Sequence, residues 1–117
     1  MFEEFIDTMK KELGEKLPGN SAHEKMRPYL RLSPKLNAPV SPFAKASAVM
    51  CLLFYKNNQT HLILIQRPVY EGVHSGQLAF PGGKPEPSDA NLLETAFRET
   101  FEEIGIERND IFHLGQL

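Results

Sequence analysis

The sequence predicts an α/β fold for this chain of 117 residues, and three stretches carry that prediction. Two apolar runs, at residues 46–55 and 61–67, flank the turn-forming segment Lys56-Asn57-Asn58-Gln59, a pattern typical of a β-hairpin. Residues 90–104 then repeat apolar side chains at three- and four-residue steps, as one face of a helix does. The length fits one domain, and no apolar run approaches the roughly 20 residues that span a bilayer.

Residues 1–40 are predicted to form a helical and proline-rich extension ahead of the main domain. Apolar residues at helical spacing in residues 2–17 predict an amphipathic helix that stops at Pro18-Gly19. A second short helix is expected at residues 22–27, and five prolines between residues 18 and 42 favour an extended linker. We expect the first helix to dock on the outside of the main domain or on a mate in a homodimer.

The main domain is expected at residues 41–117. After the hairpin, a glycine-bearing loop covers residues 68–76 and a short strand is predicted at residues 77–80, which Pro81-Gly82-Gly83 must break. Residues 111–117 have the pattern of another strand, and the sequence offers no further strand for it to pair with. We therefore expect this domain to be incomplete at its C-terminus; the alternative is a small complete domain.

Charge and cysteine content exclude several kinds of site and partner. Cys51 is the only cysteine, which excludes a disulfide framework and a cysteine-based zinc site, and we expect it to be inert core. Residues 84–117 carry eight acids and three bases, whereas residues 41–83 carry three bases and one acid. No basic face for nucleic acid and no secretory signal are evident, so we expect a cytoplasmic protein without a membrane partner. An acidic cluster beside a mildly basic segment suits a divalent cation and a small phosphorylated ligand.

Three acids, Glu99, Glu102 and Glu103, crowd one face of the predicted helix near its C-terminal end. At about 100° per residue their carboxylates share an arc of about 100°, where they repel each other and the helix dipole disfavours them. A divalent cation such as Mg²⁺ or Mn²⁺, which prefers oxygen ligands, removes that conflict. Arg98 is expected to pair with Glu102 and to leave the other two freer to bind metal. The alternative for such a pattern on its own is a solvated helix face.

The segment before this helix, Phe80-Pro81-Gly82-Gly83-Lys84, is suited to close approach by a ligand. Gly82 and Gly83 permit positive φ and carry no side chain, so we assign both to substrate binding; the alternative for a glycine-rich loop on its own is a plain turn. Lys84 beside them and Arg67 at a strand end are further candidates for contact with phosphate, the alternatives being an exposed lysine and a surface salt bridge. Ser88 or Asp89 is the expected N-cap of the helix, and Gly105 is expected just after its end.

These residues resemble the Nudix box, G-x5-E-x7-R-E-U-x-E-E-x-G-U, in which U is aliphatic. Gly83 and Asp89 stand at the G-x5-E positions, and the stretch from Arg98 to Ile106 matches the remainder with Thr100 in place of an aliphatic residue. Asp replaces Glu, and eight residues rather than seven precede Arg98. The resemblance implies an α/β/α sandwich with a mixed sheet, and hydrolysis of a nucleoside diphosphate linked to another group with Mg²⁺ or Mn²⁺.

Residues upstream resemble the coenzyme A pyrophosphatase branch of that family, whose signature is L-L-T-x-R-[SA]-x3-R-x3-G-x3-F-P-G-G. Residues 63–67, Gly76 and residues 80–83 fall at the same spacings, whereas Pro68 and Gly72 replace a small residue and the second arginine, and the threonine position holds Ile. This branch implies cleavage of coenzyme A or a derivative to 4′-phosphopantetheine and 3′,5′-ADP.

By the same resemblance, Glu99 and Glu103 are the first metal ligands and Glu102 the third, and together with Arg98 they form the catalytic set. One alternative is a Nudix hydrolase that acts on another nucleoside diphosphate-linked substrate, such as a dinucleotide or a nucleotide sugar. Another is a non-catalytic Nudix module that binds a ligand or partner, although such a module has no need to keep repelling acids together.

Overall fold

The computed structural model of this protein describes residues 1–26 and 40–117. The chain divides into two compact units, one of Met1–Ala44 with His113–Leu117 and one of Lys45–Phe112. Most of the proline-rich linker expected between residues 18 and 42 lies outside the described residues. None of the helices in the described parts is long and apolar enough to cross a membrane.

The first unit contains helix α1 (Phe2–Gly14) and helix α2 (Asn20–Lys25). α1 confirms the predicted amphipathic helix but ends three residues early, because Glu15 already has an extended backbone (φ −91°, ψ 173°). α2 confirms the second helix and begins at Asn20, two residues ahead of the predicted start; residue 27, its predicted end, lies outside the described residues.

A two-residue turn creates a hairpin in the second unit. β2 (Leu53–Lys56) pairs antiparallel with β3 (Gln59–Leu62), and Lys56 lies opposite Gln59. The turn residues Asn57 and Asn58 both have positive φ, 51° and 62°, which is the conformation that closes the tightest hairpins and that asparagine tolerates. The predicted hairpin is therefore confirmed, with shorter strands than the apolar runs suggested.

The second unit contains two further antiparallel strand pairs. β1 (Ala48–Val49) pairs with β6 (Gly82–Gly83), and β4 (Ile65–Gln66) pairs with β5 (Leu78–Ala79). All strand pairs among the described residues are thus antiparallel and two-stranded. A mixed α/β class is confirmed, whereas the α/β/α sandwich with one mixed sheet stays a prediction.

The glycine pair does not simply break a strand, as the sequence suggested. Buried Pro81 separates β5 from β6, and its carbonyl accepts a hydrogen bond from Met50 N at 2.7 Å. Gly82 has a φ of 157°, and a Cβ there would lie 2.6 Å from Val49 Cα. Because no side chain blocks the approach, β1 and β6 come into register, and the glycines become a strand instead of a loop.

Two other expectations are corrected. Cys51 is exposed and not part of the core, because the apolar run is split into β1 and β2 and the segment between them turns Leu52 inward instead. The strand expected at residues 111–117 is also wrong, because these residues form no regular secondary structure.

Helix α3 (Leu92–Ile104) packs against β1 and β6. The side chains that it buries are Thr95, Ala96, Phe97 and Thr100. Gly105 follows with a φ of 72° and donates its N–H to the Phe101 carbonyl, which confirms that the helix ends just before this glycine. The predicted N-cap is wrong, however, since the side chain of Asn91 accepts the hydrogen bond from Glu94 N at 3.0 Å.

Asn91→Ala is expected to lower the free energy of unfolding by about 1 kcal/mol, because the substitution leaves a helix N–H without its side-chain acceptor. Chemical denaturation of the purified protein measures the change. Ser88→Ala is the matched control, since Ser88 precedes the helix without capping it. An equal loss in both variants would contradict the assignment of the cap to Asn91.

Candidate active site

Helix α3 brings the four predicted catalytic residues to one place beside β6. Arg98 lies at the centre of this site, and its side chain is only 18% exposed. Its Nη1 donates to Glu99 Oε1 at 3.2 Å and to Glu102 Oε2 at 3.1 Å. The predicted Arg98–Glu102 pair is confirmed, but Arg98 also holds Glu99, contrary to the expectation that Glu99 is freer to bind metal.

The remaining donors of Arg98 hold the loop that leads into the helix. Nε donates to Asp89 Oδ1 at 3.0 Å, and Nη2 donates to Asp89 Oδ2 and to the Lys84 carbonyl, both at 3.0 Å. Each edge of the guanidinium therefore has its own set of acceptors. One arginine thus fixes the loop and two of the three clustered acids together.

Asp89 is the main partner of Arg98 and not the helix cap. Its carboxylate is 5% exposed and accepts two further hydrogen bonds, from Thr95 Oγ1 and from Glu86 N, both at 2.9 Å. The hydrogen bonds from Arg98, then the one from Glu86, lower the pKa of Asp89 from 3.8 to about 2. The same contact with Asp89 raises the pKa of Arg98 above its usual value. This role of Asp89 was not predicted, although its place at the acidic position of G-x5-E was a signal for it.

Asp89→Asn is expected to destabilise the protein at neutral pH and to matter less in acid. Folding lowers the pKa of Asp89, so its contribution is complete above 3.8 and is lost as the pH falls from 3.8 towards about 2. Asparagine does not titrate there. Denaturation curves of both proteins across this range should therefore converge as the pH falls. Parallel curves would show that the Asp89 carboxylate does not carry the effect.

Gly82 and Gly83, the predicted ligand-binding glycines, lie directly against the acids of α3. Gly82 N donates to Glu103 Oε2 at 2.9 Å. A Cβ at Gly83 would lie 2.5 Å from Glu99 Cδ. Because β6 carries no side chains, the carboxylates of Glu99 and Glu103 lie directly against its backbone. A direct contact of these glycines with substrate stays a prediction.

The three carboxylates suit a hard divalent cation by their chemistry. Each keeps an oxygen that accepts no hydrogen bond from a described residue: Glu99 Oε2, Glu102 Oε1 and Glu103 Oε1. As the side chains stand, no group of three or more His, Cys, Asp or Glu among residues 1–26 and 40–117 is arranged to hold a metal ion. The role of these three acids as metal ligands therefore stays a prediction.

A cavity of about 270 Å³ opens next to Glu103 and Gly82. Arg67, the predicted phosphate contact, lines it together with Gln66. Its other lining residues include four with apolar or aromatic side chains, Ile65, Pro68, Tyr70 and Phe80. Lys84 does not line this cavity, and its side chain is exposed. Its backbone carbonyl accepts a hydrogen bond from Arg98 Nη2.

Comparison with known proteins gives this site a family context. A probable Nudix hydrolase of Schizosaccharomyces pombe is 39% identical over 90 residues, which are 77% of this chain and 30% of that protein. An uncharacterised Nudix hydrolase, NudL, of Yersinia enterocolitica is 48% identical over 56 residues, 48% of this chain and 29% of that protein. The chain therefore spans less than a third of the length of these relatives.

The NUDIX domain family matches residues 44–117, which include the hairpin, the glycine pair and the whole of α3. Hydrolases of this family act on phosphorus-containing anhydrides and in general use divalent metal ions. Because the match covers more than half of the sequence and coincides with the Arg98-centred cluster, the chain belongs to the Nudix family.

Proposed function

We propose that this protein is a metal-dependent Nudix hydrolase that cleaves the diphosphate bond of coenzyme A or a derivative, giving 4′-phosphopantetheine and 3′,5′-ADP. The observation that carries the proposal is the position of Glu103. Its carboxylate is hydrogen-bonded to Gly82 N in β6 and at the same time lines the cavity that contains Arg67. Glu103, the acid proposed to bind metal, and Arg67, the cation proposed to bind phosphate, thus line the same cavity.

In this proposal the residues of the site either orient the three acids or bind phosphate. Arg98 orients Glu99 and Glu102 through its Nη1, and Gly82 orients Glu103. Arg67 makes no ion pair or side-chain hydrogen bond with another described residue, so its guanidinium is available to phosphate. Bound Mg²⁺ or Mn²⁺ would neutralise charge on the diphosphate and lower the pKa of an attacking water.

Coenzyme A is proposed as the substrate from the spaced motif of residues 63–83. The relatives are Nudix hydrolases whose names state no substrate. Gly72 stands where the branch signature has its second arginine, and this departure favours testing other nucleoside diphosphate-linked compounds in parallel. A reaction in the cytoplasm is part of the same proposal.

A substrate panel tests the proposal directly. Purified protein is incubated with Mg²⁺ or Mn²⁺ and with coenzyme A, a dinucleotide or a nucleotide sugar, and the products are identified by mass spectrometry. We expect 4′-phosphopantetheine from coenzyme A. Hydrolysis of another compound alone would move the assignment to that substrate, and binding without hydrolysis under both metals would indicate a non-catalytic module.

A further inference from the structure

The ring of Tyr70 occupies space that exists only because residue 72 is glycine. A Cβ at Gly72 would lie 3.0 Å from Tyr70 Cδ2 and even closer to Cε2. Gly72 is not among the residues with positive φ, so its backbone conformation does not itself require glycine. The missing side chain therefore serves the placement of the neighbouring ring.

Hydrogen bonds within the loop of residues 68–76 hold the backbone that carries this ring. Tyr70 N donates to Ser75 Oγ at 2.9 Å, and Gly76 N donates to the Pro68 carbonyl at 3.3 Å. The Tyr70 residue remains 47% exposed, and it faces the same cavity as Phe80 and Arg67. An aromatic ring that lies against Gly72 on a hydrogen-bonded loop and stays partly exposed is suited to stacking.

The size and lining of the cavity restrict what can bind there. Its volume of about 270 Å³ lies below the roughly 300–1,000 Å³ of pockets that enclose a whole drug-sized ligand. It therefore accommodates one part of a larger substrate. Two aromatic side chains offer flat apolar surfaces, and Arg67 brings a positive charge beside them. A planar ring attached to a phosphate matches both features.

We propose that Tyr70, seated over Gly72, is a specificity-determining residue that stacks on the nucleobase of a nucleoside diphosphate-linked substrate, with Arg67 on the adjoining phosphate. The inference rests on the proposed function for the identity of the site, but it concerns which part of the substrate this cavity recognises. Stacking selects compounds that carry a base over compounds that carry phosphate alone.

Calorimetric titration with ADP and with inorganic pyrophosphate, both with Mg²⁺, tests the assignment through binding and does not require turnover. Tyr70→Ala is expected to weaken ADP binding about tenfold, the size typical of loss of one stacked base, and to leave pyrophosphate binding unchanged. Tyr70→Phe keeps the ring and should bind ADP as the wild type does. Gly72→Ala keeps Tyr70 but displaces its ring, so it should weaken ADP binding alone.

Tyr55→Ala is the matched control, because Tyr55 lies on β2 outside the cavity lining. In steady-state kinetics, Tyr70→Ala should raise KM for the nucleobase-containing substrate with kcat unchanged. Wild-type ADP affinity in Tyr70→Ala, or an equal loss for ADP and pyrophosphate, overturns the proposal. If no compound is hydrolysed but the ADP-selective loss is found, hydrolase function fails and the role of Tyr70 stands.

Discussion

Glu103→Gln is expected to lower kcat at least about 100-fold while leaving the fold intact. Glutamine has the shape of glutamate, and its side-chain oxygen can still accept the hydrogen bond that Gly82 N now gives to Glu103 Oε2. What the substitution removes is the negative charge at the mouth of the cavity. Loss of one preorganised electrostatic contact in an active site typically costs about 100- to 1,000-fold in rate.

Initial rates measured with the hydrolysed substrate test this expectation, and circular dichroism checks the fold. Glu107→Gln is a matched control, because Glu107 follows helix α3 and is exposed away from the cavity lining. A titration with Mn²⁺ gives an independent reading, since weaker Mn²⁺ binding is expected only in the Glu103 variant. Unchanged turnover in Glu103→Gln would mean that another acid holds the metal.

Gly83→Ala is expected to lower kcat about 100-fold by displacing a carboxylate and not by unfolding the protein. The new Cβ would lie 2.5 Å from Glu99 Cδ, so the flexible end of Glu99 must move away from β6 and from Arg98 Nη1. Gly83 lacks a positive φ, and alanine can therefore adopt its backbone conformation. A misplacement of about 1 Å in an active site can cost about 100-fold.

Kinetics and thermal melting separate these two effects. Gly14→Ala is the control, because no atom lies within 4 Å of a Cβ at that position. We expect wild-type kinetics in the control and a melting temperature close to wild type in Gly83→Ala. A large fall in melting temperature with normal kcat would show that Gly83 serves the β1–β6 pairing and not the position of Glu99.

The sequence alone predicted those features that arise between residues close in the chain. Asn57 and Asn58 encode their own turn, and Gly105 ends α3 through a conformation that glycine adopts easily. The Arg98–Glu102 ion pair follows from the pitch of the helix that contains both residues. The box of residues 83–106 likewise sufficed to predict the family that the comparison over residues 44–117 established.

Other features depend on parts of the chain that meet only after folding. Asp89 pairs with Arg98 because the loop of residues 84–91 folds back onto α3. Asp89 is therefore engaged elsewhere, and Asn91 caps the helix instead. The exposure of Cys51 depended on where an apolar run split into two strands. The contact of the Tyr70 ring with Gly72 depends on the hydrogen bonds that close the loop containing both residues.

The contact between Gly82 and Glu103 shows the difference most clearly, because 21 positions separate its two residues. Turns and helix pairs are determined by interactions over about four residues, which local residue types specify. Strand pairing and the placement of acids against a strand depend instead on packing between distant segments, where the side chain missing at a glycine matters as much as those present. The sequence therefore determined which acids cluster on α3, and the tertiary structure decided which groups hold them.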